Sequence, residues 1–215
     1  MPDQPGRRPP IPPEITATRV IGIGRRIEAS SIVPVADALI AGGVRAFEVT
    51  LDSPDAMAAI RTLATHFSDG SLLVGAGTVL DVPKATAAVE AGARFLVSPH
   101  TDGELIRWAV AGRIPIFPGA FTPSEILAAW RAGASAVKLF PASTVGPPYL
   151  RELRGPLAEI PLIPTGGVTA ENAAAFIAAG AVGVGVGSWL IADGSPDLIR
   201  QRAAQLVSAL QSATR

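Results

Sequence analysis

The chain has 215 residues, of which 48% are hydrophobic and only 5% aromatic, with 18 basic and 18 acidic side chains and no cysteine. Zero net charge argues against a general nucleic-acid or anionic-membrane surface, although it leaves room for a local anion site. Without cysteine there is no disulfide framework and no thiolate metal centre, which fits a reducing compartment and a cytoplasmic location.

The first residues, MPDQPGRRPPIPPE, are rich in proline and lack the apolar centre of a signal peptide. Residues 1–15 read as a flexible or extended leader, ahead of one domain over 16–215. No uninterrupted apolar run approaches the ~20 residues of a membrane span.

Arg19 to Gly24 reads as a short buried strand, followed by a helical pattern from Val33 to Ala41 that stops at Gly42-Gly43. A second strand, Ala46 to Leu51, precedes a helix from Pro54 with Ser53 as its N-cap. Strands at Leu72–Gly75 and Arg94–Ser98 lead into helices near Val82–Ala91 and Asp102–Ala111. After strand Ile114–Phe117, the run Thr122-Pro123-Ser124-Glu125 has the form of a capping box opening the next helix. The sixth strand contains Lys138 and precedes a helix near Tyr149–Arg154. Strand Pro161–Pro164 leads through Gly166-Gly167 to helix Thr169–Ala179, and strand Ala181–Val186 leads through Gly187-Ser188 to the last helix, Pro196–Ala213.

Strands that are aliphatic throughout are buried on both faces, as parallel strands are. Eight strand–helix units, most helices ending in Ala-Gly, close most naturally into an α/β fold of the (β/α)8 TIM-barrel type. A doubly wound open sheet is the alternative.

Two charges break the apolar strands. Lys138 sits in Ser135-Ala136-Val137-Lys138-Leu139-Phe140, where alternation puts Ala136, Lys138 and Phe140 on one face. Burial there lowers the pKa of an ammonium towards a nucleophilic amine. Glu48 is equally anomalous, sharing a strand face with Thr50. Read without function, the two form a buried ion pair, or the lysine snorkels to water from an edge strand. Read functionally, they are an amine nucleophile beside a proton-transfer group, the minimum for Schiff-base chemistry on a ketone.

In a barrel the strand ends gather Arg25, Thr78, Ser98-Pro99-His100 and Pro118-Gly119 around that pair. Gly166-Gly167 and Gly187-Ser188, after the last two strands, form the usual phosphate cradle. No plausible metal cluster is present in the sequence. His66 reads as a solvated helix residue, whereas His100 is a candidate for the site rim.

The runs Glu48-Val49-Thr50-Leu51, Val74-Gly75-Ala76-Gly77-Thr78-Val79-Leu80, Lys138-Leu139-Phe140-Pro141, Pro164-Thr165-Gly166-Gly167-Val168 and Gly187-Ser188-Trp189-Leu190 resemble, in order and spacing, the KDPG/KHG aldolase family (KDPG is 2-keto-3-deoxy-6-phosphogluconate). The resemblance runs from about Val20 to Leu210. It implies a class I aldolase that needs neither metal nor cofactor, acts on a small keto-acid phosphate and assembles as a homotrimer. It also implies that Lys138 is the Schiff-base residue and Glu48 the proton shuttle. Arg25 and Thr78 would hold the substrate carboxylate, Pro99 and Phe140 would line the site, and Gly166, Gly167, Gly187 and Ser188 would bind phosphate. Many members carry arginine directly after Glu-Val-Thr-Leu; here Asp52 stands there and reads as a helix-start residue, with Arg25 taking over the carboxylate. Gly146-Pro147-Pro148-Tyr149-Leu150 and Ser53-Pro54 resemble the branch cleaving the galactonate epimer, and 4-hydroxy-2-oxoglutarate is a further candidate substrate. Competing readings are a phosphate-binding barrel isomerase or synthase, with Glu48 as base, and a silent sugar-phosphate binder.

Overall fold

The computed structural model describes residues 8–191 and 194–212. Among the described residues there are nine strands: β1 (Val20–Gly24), β2 (Ala46–Thr50), β3 (Leu73–Gly77), β4 (Leu96–Val97), β5 (Ile116–Phe117), β6 (Gly119–Ala120), β7 (Val137–Leu139), β8 (Leu162–Pro164) and β9 (Val184–Val186). All pair in parallel, in the orders β5-β4-β3-β2-β1-β9 and β6-β7-β8.

The ring closes in two places. A Thr165–Gly185 bridge joins β8 to β9. On the other side β5 and β6 are halves of one barrel strand, divided at Pro118. Phe117 pairs with Val97 on one neighbour and Gly119 with Lys138 on the other. The Pro118 carbonyl accepts a hydrogen bond from the Lys138 N–H, so the proline, which has no N–H to donate, still serves the ladder. The fold is the (β/α)8 barrel.

Between the strands run α2 (Ile32–Ala41), α3 (Ala56–His66), α4 (Val82–Glu90), α5 (Gly103–Ala111), α6 (Pro123–Arg131), α7 (Gly146–Arg154), α8 (Ala170–Ala178), the short α9 (Ser188–Ile191) and α10 (Pro196–Ser212), after an initial α1 (Pro13–Thr18). The Thr122–Glu125 capping box is formed as expected, and a second joins Thr169 to Asn172. Four helices, α2, α4, α6 and α8, stop where glycine takes the left-handed conformation an L side chain avoids, at Gly43, Gly92, Gly133 and Gly180. After α5 that conformation falls instead on Arg113. None of the described helices is long and apolar enough to cross a membrane.

Two apolar layers follow from strand alternation. Phe47, Val49, Val137 and Leu139 face the helices. Ile21, Ala46, Phe95, Val97, Phe117, Ala136 and Ile163 fill the lower barrel, joined from below by Ile15 of α1. Alternation then lifts Glu48, two residues beyond Ala46, and Lys138, two beyond Ala136, into the level above this plug.

Two expectations need correction. The leader drawn over residues 1–15 lies partly outside the described residues, but the rest of it is docked on the barrel. Pro9 and Pro12 are buried, Ile15 is 1% exposed, and the Arg8 guanidinium donates to the Ala134 and Trp130 carbonyls at the end of α6. A six-residue helix is too short to show periodicity, so α1 was invisible in the sequence. Ser53 is not the N-cap of the next helix: α3 starts at Ala56 after Asp55, and the Ser53 hydroxyl instead accepts from the Arg26 N–H at 2.8 Å.

Candidate active site

Glu48 on β2 and Lys138 on β7 enter the barrel from well-separated strands, with β1, β9 and β8 between them. They are 1% and 6% exposed. By presenting glycine to the interior, β3 makes room for Glu48 and β9 for Thr165. A Cβ at Gly77 would overlap Glu48 Oε1, and one at Gly185 would overlap Thr165 Oγ1.

No direct ion pair joins the two charges. Glu48 Oε2 is buried and has no hydrogen-bond partner among the described residues. The Lys138 ammonium lies 4.9 Å from the Phe140 ring centroid. Burial pushes the Glu48 carboxyl up to about 7, against the pull of Lys138 and Arg25. Burial also lowers Lys138, helped by Arg25 and opposed by Glu48. Near neutral pH the site therefore holds a carboxyl poised to give or take a proton and an amine that sheds its proton far more readily than a surface lysine.

Above Lys138 opens a cavity of about 440 Å³, lined by Arg25, Lys138, Phe140, Thr165, Gly166, Gly167, Gly187 and Ser188 among others, with Glu48 outside its lining. Gly166 and Gly167 both adopt left-handed backbone, and neither N–H finds a backbone acceptor among the described residues. Two such donors beside the start of α8 suit a phosphate or carboxylate. Ser188 opens α9 at the same rim.

Arg25, just past β1, reaches Asp52 Oδ2 at 2.6 Å and Thr78 Oγ1 at 3.5 Å. Thr78 holds φ 56, a backbone conformation uncommon for a β-branched residue. Pro99 lies outside the Lys138 cavity. With exposed His100 it lines a neighbouring cavity of about 470 Å³, and Phe140 is the wall between the two. The His100 Nδ1 is hydrogen-bonded to Ser98 Oγ at 2.9 Å.

Two residues of the site escaped sequence reading. Thr165 points inward two places after Ile163, a signal that alternation carries but that a single hydroxyl does not advertise. Asp52 reads locally as a helix-start residue, because the partner that gives it a different place, Arg25, lies 27 residues away.

Fold and site together define a barrel enzyme with a buried amine facing a buried carboxyl, the equipment of an aldolase that works through a Schiff base. The chain belongs to the KDPG and KHG aldolase family, whose model matches residues 11–209. Among curated relatives, the 2-dehydro-3-deoxy-phosphogluconate aldolase of Pseudomonas aeruginosa is 42% identical over 173 residues, 80% of this chain and 76% of that one. The 2-dehydro-3-deoxy-6-phosphogalactonate aldolase of Escherichia coli is 36% identical over 92% of this chain and 97% of its own. A native KDPGal structure superposes with TM-score 0.87 at 36% identity, covering 91% and 95% of the two chains. A KDPG aldolase from Legionella pneumophila, with pyruvate captured as a covalent carbinolamine, gives TM-score 0.79 at 30% identity over 99% of each.

Proposed function

We propose that this enzyme cleaves 2-keto-3-deoxy-6-phosphogluconate to pyruvate and glyceraldehyde 3-phosphate. The observation that carries the reading is the nearly enclosed Lys138 amine, opening on the same cavity as the Gly166-Gly167 donors and sharing the barrel interior with Glu48.

Lys138 Nζ attacks the C2 ketone, and the resulting carbinolamine loses water to give an iminium. Its hydroxyl leaves as water with a proton from Glu48. The iminium then accepts the electron pair of the C3–C4 bond as Glu48, now ionised, takes the C4 hydroxyl proton, and glyceraldehyde 3-phosphate departs. Protonation of the enamine at C3 and hydrolysis release pyruvate and restore Lys138. Arg25 and Thr78 bind the C1 carboxylate, Phe140 packs beside the imine, and Gly166, Gly167, Gly187 and Ser188 take the phosphate. Pro99 borders the site from the far side of Phe140. The expected assembly is a homotrimer and the expected location the cytoplasm.

A second reading, the galactonate epimer, draws support from Asp52 standing where many relatives have arginine, and from the breadth of the likeness to the phosphogalactonate enzyme. The epimers differ only at C4, so one side-chain contact decides between them. The test has two arms. Borohydride with pyruvate should add a stable mass at Lys138 and nowhere else, and Lys138→Ala should abolish both trapping and turnover. Relative kcat/KM for both C4 epimers and 4-hydroxy-2-oxoglutarate should rank the gluconate epimer first. An untrapped Lys138 would return the chain to an isomerase or synthase reading.

A further inference from the structure

We propose that Asp52 is a positioning residue that holds the Arg25 guanidinium over the barrel mouth, oriented for the substrate carboxylate. The inference rests on the aldolase reading and deepens it.

Asp52 belongs to the turn after β2 and Arg25 to the loop after β1. Arg25 Nη1 meets Asp52 Oδ2 at 2.6 Å, and Nη2 lies 3.5 Å from Thr78 Oγ1 beyond β3. An exposed arginine–aspartate pair ordinarily contributes little and orients nothing, because both long side chains are free to leave it. Here the backbone on both sides is stapled. Ser53 Oγ accepts the Arg26 N–H at 2.8 Å and lies 3.0 Å from Thr50 Oγ1, which donates to the Gly24 carbonyl at 3.2 Å. Thr50 and Ser53 are both buried. The residues flanking Arg25 and those flanking Asp52 are thus tied together below the pair, and the ion pair spans a fixed gap.

The cavity decides what the fixed pair is for. Arg25 lines the Lys138 cavity and Asp52 does not, so the carboxylate grips the guanidinium from behind. A guanidinium carries five N–H donors, of which Asp52 and Thr78 engage two. The rest remain for a planar, bidentate contact with a carboxylate, the geometry arginine is built for. Asp52 removes the rotamer freedom that binding would otherwise have to freeze.

The experiment compares Asp52→Asn and Asp52→Glu with wild type in turnover and in borohydride trapping of two ketones, pyruvate and uncharged hydroxyacetone. For Asp52→Asn, KM and the pyruvate concentration for half-trapping should rise about tenfold, with kcat within about threefold, since binding of the unchanging carboxylate is lost. Hydroxyacetone trapping should be unaffected, which also shows the variant is folded. Asp52→Glu should recover part of the loss. In an Arg25→Gln background, Asp52→Asn should add nothing. Equal losses with both ketones, an undiminished effect in the Arg25→Gln background, or an unchanged KM would each overturn the assignment. If wild type itself fails to trap pyruvate, the aldolase reading falls and takes this role for Asp52 with it. Normal wild-type trapping with an unaltered Asp52→Asn variant sinks the positioning role alone.

Discussion

Gly77 and Glu48 fix one another's place: a methyl group on residue 77 would overlap the Oε1 atom of the glutamate on the neighbouring strand. The Gly77 backbone is not left-handed, so the constraint is space rather than conformation.

Gly77→Ala therefore tests the placement of the proton shuttle without touching the nucleophile. Overpacking of this kind costs about 1–3 kcal/mol, and Glu48 is the neighbour that must move. The variant should fold with a lowered Tm and a kcat reduced at least about tenfold, because misplaced acid–base groups forfeit roughly that much or more. Wild-type kcat in Gly77→Ala would show that the Glu48 position is not critical.

The buried amine and carboxyl are held at a cost in stability. Replacing both members of such a pair with neutral groups of similar size is often neutral or stabilising by about 1–4 kcal/mol, whereas removing one leaves the other uncompensated. The Glu48→Gln/Lys138→Met double variant should accordingly be inactive and melt no lower than wild type, and higher than Lys138→Met alone at pH 8. A thermal melt showing the double variant to be the least stable of the set would mean the pair contributes net stability.

Burial moves the Glu48 carboxyl from its ordinary 4.5 to about 7. In that window the folded protein holds a proton that the unfolded chain has released. Its contribution to stability therefore falls as pH rises from about 4.5 to 7. Dehydration of the carbinolamine needs the protonated form to supply its proton, and ionised Glu48 arises only in that step, so log kcat/KM should fall through an inflection near pH 7 as Glu48 of the free enzyme ionises. Glu48→Gln should lose that inflection along with most of its rate. An unchanged profile in the variant would assign the titration to another group.

At the opposite end of the barrel, Arg8 donates to Ala134 O at 2.8 Å and to Trp130 O at 2.7 Å. Its guanidinium lies 3.2 Å from the Trp130 ring centroid. These contacts pin the N-terminal segment to the last turn of α6, far from Lys138. Arg8→Ala should lower stability by about 1–2 kcal/mol and leave kcat and KM as they were. Circular-dichroism melts beside steady-state assays decide it; a changed kcat would mean the segment communicates with the mouth.

The anomalies of charge were legible before any coordinates. A lysine and a glutamate inside aliphatic strands stand out because burial makes them expensive, and strand alternation assigns their face without reference to any partner. The Ala-Gly helix stops and the Thr122–Glu125 box were equally readable, since a cap is made within four residues. Ser53 shows where such reading fails: the residue suits an N-cap, but a backbone N–H from the loop after the adjacent strand claimed its hydroxyl first.

Sequence alone thus determined the repeating strand–helix order, the inward faces of β2 and β7 and the chemistry carried on them, because each depends on residues a few positions apart. Tertiary structure alone decided that Asp52 meets Arg25, that Pro99 falls on the far side of Phe140, and that β5 and β6 divide one strand's partners at Pro118. Those outcomes depend on how the ring closes and in what register, and register is set by the packing of all the strands together.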